Sequence, residues 1–309
     1  MARVSGKRLL IALLLTLSVP FSATAGTDMP SGDAVDRLLL REQSVGAGLL
    51  GTSPAGTAGF VGFMNPTALA AEGDTLFVGD PGLRRVYRVE LDSREVTPVA
   101  PLGGATPRLR VGIARSWFLI PPTGNVVREF DPDGKLRAEY TSVEFTQAVD
   151  ALREPRSGRI WVFDFSGTVY EFSPGGSLLE SRRILADRGT AVQAAVAGPE
   201  FAYVLDRTCA CVIELDQHGL PMRMIADGEL AFANDLAVDD YGRIWVTQQD
   251  QAQITLIDHN ESLHHIDLRA VGLNRLSALT IAGGRLFAAD PTTASVTVFR
   301  LLPPDSIRR

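Results

Sequence analysis

Oxygen-bearing side chains recur at one interval along this 309-residue chain. Gln193, Asp235 and Ser277 follow one another 42 residues apart, and Thr67 belongs to the same series. One position earlier in the period stand Arg108, Asp150 and Asn234. Carboxylate, amide and hydroxyl oxygens are hard donors, and calcium takes about six to eight of them. Asp150, Asn234 and Asp235 are therefore the candidate metal ligands. Arg108, Asp150, Gln193, Asn234, Asp235 and Ser277 together form the candidate ligand-binding set. The plainer alternative is that Asn234-Asp235 only turns the chain into a strand. Arg108 and Arg110 either draw an anionic ligand or pair with Asp150, and the pairing is the preferred reading.

Other chemistry has less to work with. His218 and His259 fall in turns, and His264-His265 sit side by side on one strand. Neighbours on a strand point to opposite faces, so no set of three imidazoles can converge on zinc. No Gly-x-Ser-x-Gly nucleophile turn occurs. The two cysteines, Cys209 and Cys211, read as positions i and i+2 of a strand. Such Cα atoms lie about 6.6 Å apart, at the long end of disulfide geometry. Two packed thiols are expected, with a disulfide, a redox role or a metal role as alternatives.

The elements that must hold these residues in register are repeats. "LFVGD" at 76–80 returns as "FLIPP" at 118, "IWVFD" at 160, "AYVLD" at 202, "IWVTQ" at 244 and "LFAAD" at 286. Each 42-residue period reads as four short strands divided by tight turns, with no helical spacing. Periods of 20–50 residues signal a propeller or solenoid, and four antiparallel strands per period indicate a propeller blade. The expected fold is all-β: a six-bladed β-propeller over 59–303, with a tail at 304–309. Blade six lacks an outer strand, because the chain ends where it is due. The segment 35–45 is expected to supply it and close the ring, since an open edge invites aggregation. Residues 26–34 read as a leader and 46–58 as a Gly-rich connector. The candidate columns then lie where the inner strands enter the central channel. Asp80, Asp164, Asp206 and Asp290 end the repeated phrase and are expected to accept backbone N–H bonds in the next turn. Trp161 and Trp245 are expected to pack between blades.

Composition is that of a globular chain, with 45% hydrophobic and 21% charged residues. Arg3, Lys7 and Arg8 precede an apolar run too short to span a membrane, and Ala23-Thr24-Ala25 follows it. Residues 1–25 therefore read as a cleaved signal peptide, with a periplasmic or extracellular product and no transmembrane segment afterwards. Cleavage would lower the formal charge from −6 to about −9. Nucleic acid is not an expected partner, because phosphate binding needs clustered cations.

The stretch "GFVGFMNPTALAAEGDTLFVGDPGLRRVYRVEL" resembles an NHL repeat in its Gly…Phe…Pro lead-in, its Gly turn and its Asp-ended second strand. The resemblance runs over roughly residues 58–303 and is weakest in blade two, where Pro122 replaces the Asp. The Gly-His and Trp-Asp marks of tryptophan-aspartate propellers are missing. "ANDLAVD" at 233–239 is similar to the Asn-Asp strand entry of calcium-dependent lactonases and paraoxonase-like esterases. That likeness implies a calcium ion at the channel mouth, although Asn65-Pro66-Thr67 offers no acid where those enzymes use one. The expected function is an exported, non-catalytic module binding a protein, peptide or glycan. The alternative is a calcium-dependent hydrolase of lactones or esters.

Overall fold

The computed structural model describes residues 38–46, 62–103, 107–122, 124–187, 189–248 and 251–303. The expected signal segment 1–25, the leader 26–34, the start of the closing strand at 35–37, the connector beyond Gly46 and the tail 304–309 lie outside the described residues.

Six four-stranded antiparallel sheets stand in a ring. Blade one shows the plan: Ala68–Glu72 innermost, then Thr75–Asp80, Arg85–Glu90 and Glu95–Pro101. The other inner strands are Arg108–Val111, Ala148–Arg153, Val192–Ala197, Ala233–Val238 and Ala278–Ala282. The repeated phrase forms the second strand of each blade. In Thr75–Asp80 and Ile160–Asp164 every residue is buried. A strand covered by neighbours on both faces reads as a continuous apolar run, so this phrase lacks the usual alternation. One core cluster joins Ala68, Phe77 and Val86 of blade one to Leu109, Trp117 and Leu119 of blade two. Within it Phe77 and Trp117 stack at 5.5 Å. Trp161 and Trp245 are buried between blades as expected.

Ring closure follows the expectation. Leu39–Gly46 pairs antiparallel with Ser295–Leu301, from Leu39 opposite Leu301 to Gly46 opposite Ser295. It becomes the outer strand of blade six and buries Leu39 and Val45. Glu42 adds ion pairs to Arg285 and Arg300.

The terminal Asp of the phrase does more than cap its own turn. Asp80 accepts the Leu83 N–H at 3.0 Å and also the Met64 N–H at 2.7 Å. Asp206 takes Thr208 and Ala191 N–H groups, and Asp290 takes Thr292 and Asn274. Each carboxylate thus ties the turn behind it to the segment entering its own inner strand. For Asp290, burial alone would raise the pKa, but these N–H bonds outweigh it and hold the carboxyl below its usual range.

The cysteine expectation is corrected. Cys209 and Cys211 are joined as a disulfide. Cys209 lies in the turn 207–210, and Cys211 opens the third strand Cys211–Leu215. Ala210 between them adopts φ of +49°. That left-handed turn, not an extended strand, brings the Cα atoms to 5.2 Å, inside the normal bridging range. Asp227 lies within 4.8 Å of both sulfurs. A metal would need free thiolates there, and the sulfurs are bonded to each other.

Candidate functional site

The inner strands of blades three, four and five each carry an irregularity near their start: between Ala148 and Asp150, Val192 and Ala194, and Ala233 and Asp235. A bulge re-aims the side chain beside it. Asp150 pairs opposite Phe163 and Asp235 opposite Thr247, which occupy the same place in their second strands. Asp150 and Asp235 are therefore equivalent residues, and Gln193 and Asn234 are equivalent bulge residues. The 42-residue columns had grouped Asp150 with Asn234, and Gln193 with Asp235. The reason for the slip is local. The turn from inner to second strand is Gly73-Asp74 in blade one but spans 154–159 in blade three. A constant period cannot hold the inner strands in register when these turns differ.

The candidates separate into a buried centre and a rim. At the centre, Asp150 and Asp235 are buried and face two arginines of blade two. Arg110 gives its Nε to Asp150 Oδ1 at 3.0 Å. Its Nη2 bridges Asp150 Oδ2 at 2.8 Å and Asp235 Oδ1 at 2.7 Å. Arg108 Nη1 reaches Asp235 Oδ1 at 2.5 Å, and its Nε lies 3.5 Å from Asp150 Oδ2. Arg108 Nη2 also donates to the Gln193 carbonyl at 3.0 Å. The remaining carboxylate capacity goes to backbone donors: Ala151 and Ala195 for Asp150, Leu236 and Leu279 for Asp235. Two cations and two anions thus cancel across the channel. Burial would raise the Asp235 pKa, but Arg110 and Arg108 override it and hold the carboxyl below its usual range. Burial disfavours the Arg110 charge, yet Asp150 and Asp235 hold its pKa above that of a free arginine.

At the rim the candidates stitch blades together. The Gln193 amide donates to Asn234 Oδ1 at 3.4 Å, and the Asn234 amide donates to the Ser277 carbonyl at 3.1 Å. The Ser277 hydroxyl donates to the Pro66 carbonyl at 3.1 Å. This chain runs from blade four through five and six to blade one. The hydroxyl of Thr67 is buried there with no partner among the described residues. Above the centre lies a cavity of about 340 Å³, lined by Arg108, Pro122, Phe165, Gln193, Arg207 and Asn234 among others.

Arg110 was expected to pair with Asp150 but stood outside the candidate ligand-binding set, yet it is the hub. The available signal was physical: an arginine on an inner strand needs a carboxylate opposite, and Asp150 and Asp235 supply two. The histidines lie where the sequence placed them. His218 and His259 are in turns after third strands, and His264 and His265 are on the outer strand Leu263–Asp267.

What the centre can do chemically follows from its bonding. Neither carboxylate is left free to act as a general base, and a cation would have to displace guanidinium groups from both. Among the described residues, no helix is long and apolar enough to cross a membrane.

No family model matches the chain, and no curated protein sequence does. Solved structures do. Virginiamycin B lyase from Staphylococcus aureus aligns with a TM-score of 0.59 at 9% identity, over 84% of this chain and 99% of the lyase. The WD40 β-propeller domain of Doa1 aligns with a TM-score of 0.57 at 10% identity, over 87% and 98%. A protein of unknown function from Bacteroides thetaiotaomicron gives 0.59 at 13%, over 78% and 70%. At these identities the likeness is one of fold: the chain is a six-bladed β-propeller.

Proposed function

We propose that this protein is an exported NHL-like propeller that binds a protein or peptide partner across the face carrying the channel mouth. The observation that supports this most is the cancellation of Arg108 and Arg110 against Asp150 and Asp235. Those groups hold the channel together and leave no free acid, base or ligand set among them. The same face carries exposed apolar side chains on its loops: Met64, Val143, Phe165 and Phe232, the last 76% exposed. Phe165 and Phe232 line adjoining depressions that share Gln193, Arg207 and Asn234. Apolar and aromatic groups around a polar centre suit a partner that buries side chains of its own. A glycan stacking on the same rings is the competing outcome of the test. A calcium-dependent hydrolase of lactones or esters remains the second reading, and it requires the metal to win both carboxylates from their arginines.

The test is selection of a displayed peptide library on immobilised protein, followed by affinity measurement on a glycan array and with the selected peptides. A Val143→Ser, Phe232→Ser variant should lose at least tenfold in peptide affinity while melting within about 2 °C of the parent, since exposed positions contribute little stability. Undiminished binding in that variant would contradict the assignment of the face. Turnover of a lactone or ester that vanishes in Asp235→Asn would contradict the non-catalytic reading.

A further inference from the structure

The other end of the channel is built differently. The inner strands run from the mouth to hairpin turns on the opposite face. There they enclose a second cavity of about 280 Å³. Every blade gives its wall an apolar side chain: Ala71, Val111, Leu152, Val196, Val238 and Ile281. Arg110 also lines it, and is the one residue shared with the cavity at the mouth.

Arg110 is 7% exposed, and its bonding is lopsided. Nε and Nη2 carry all its bonds, to Asp150, Asp235 and the Ala195 carbonyl. Nη1 has no protein acceptor among the described residues. A guanidinium stays charged in a protein, so both Nη1 protons call for an acceptor oxygen. The two other charged groups of this cavity are paired, although the buried Nε of Arg153 has no partner among the described residues. Arg153 bonds the Gly158 carbonyl and Glu129, and Glu154 accepts the Arg156 and Ser157 N–H groups.

The charge already present decides what kind of acceptor fits. Arg108 and Arg110 cancel Asp150 and Asp235, so the floor is neutral overall. A carboxylate here would bring an uncompensated negative charge into an apolar funnel, which is costly without a cation of its own. A neutral carbonyl oxygen satisfies Nη1 and adds no charge. We propose that this funnel binds a small neutral amphiphile: an apolar chain ending in a ketone, ester or amide carbonyl. The carbonyl meets Arg110 Nη1, and the chain runs out along Val196, Val238 and Ile281. Cavities of about 150 Å³ accept benzene, so this one accommodates about eight to twelve heavy atoms. The site is independent of the partner face.

The experiment titrates 2-octanone and octanoate into the mature protein at pH 7, by calorimetry and ligand-observed NMR. The expected result is saturable 1:1 binding of 2-octanone and at least tenfold weaker binding of octanoate. Val196→Trp and Ile281→Trp fill the funnel from two blades, and each should cut 2-octanone affinity at least tenfold with a retained cooperative melt. Phe232→Ser, on the far face, should leave it unchanged. The proposal is overturned by a lack of saturable 2-octanone binding, by octanoate binding as tightly as the ketone, or by a folded Trp variant that binds like the parent.

Discussion

Replacing Arg110 by Met keeps an unbranched apolar stem and removes the charge. Asp150 then loses its Nε and Nη2 bonds and keeps only Ala151, Ala195 and Arg108 Nε at 3.5 Å. Asp235 keeps Arg108 and two backbone donors. Two buried carboxylates then share one guanidinium, so one negative charge is uncompensated. Removing one partner of a buried pair costs about 3–5 kcal/mol. Domains are stable by about 5–15 kcal/mol, so the variant should survive but melt roughly 10 °C lower. The pH dependence should change sign. In the parent, Asp235 has a depressed pKa, so its contribution is complete above the unfolded carboxylate pKa of about 4 and is lost as pH falls below it. In the variant one carboxylate should have a raised pKa, so acidification from pH 7 to 5 should narrow the gap to the parent. Urea unfolding at both pH values gives the numbers. Arg110→Met combined with Asp150→Asn should recover at least about 2 kcal/mol of the loss. A single variant within about 1 kcal/mol of the parent at pH 7, or a gap that widens on acidification, would mean that Arg110 does not neutralise these carboxylates.

Other outcomes follow from the same structure. Deleting residues 26–46 removes the burial of Leu39 and Val45, worth about 3–6 kcal/mol together, and bares the edge of Ser295–Leu301. Light scattering should show aggregation at temperatures where the parent is clear. The disulfide closes a short loop, so Cys209→Ser with Cys211→Ser should cost about 1–2 kcal/mol in urea unfolding, and the denatured, unreduced parent should show no free thiol. A Cβ at Gly134, at φ +83°, would meet the Val99 carbonyl oxygen of the neighbouring blade at 1.8 Å. Gly134→Ala should therefore lower the melting temperature clearly more than Gly158→Ala, which has a similar φ of +70° but open space around it.

The scaffold was legible because its signals repeat. Six copies of an apolar phrase at one spacing mark six doubly covered strands, and the missing outer strand of blade six points to Leu39–Gly46. Asp80, Asp206 and Asp290 were readable as turn formers, though not their second bond to the segment entering the inner strand. That contact depends on how two distant turns meet. The centre was half legible. Asp150, Asp235 and Arg108 were singled out and do meet, and the preferred pairing of both arginines with Asp150 holds. Their register was not readable, because the turns at 73–74 and 154–159 differ in length and the inner strands carry bulges. Arg110 was read as a partner of Asp150; its second bond, to Asp235, was not readable because it depends on that register. The Cys209–Cys211 bridge stood only as the alternative to packed thiols, because Thr208-Cys209-Ala210 contains no Gly, Asn or Pro to announce a left-handed turn.

Arginine already neutralises both carboxylates of the channel. Calorimetric titration of calcium into the metal-free protein at pH 7 tests this neutralisation most directly, with melting curves in calcium and in chelator alongside. No saturable heat is expected, and the melting temperatures should agree within about 1 °C. A stoichiometric heat with a raised melting temperature, both lost in Asp235→Asn, would contradict it and place a metal where the two guanidinium groups now lie.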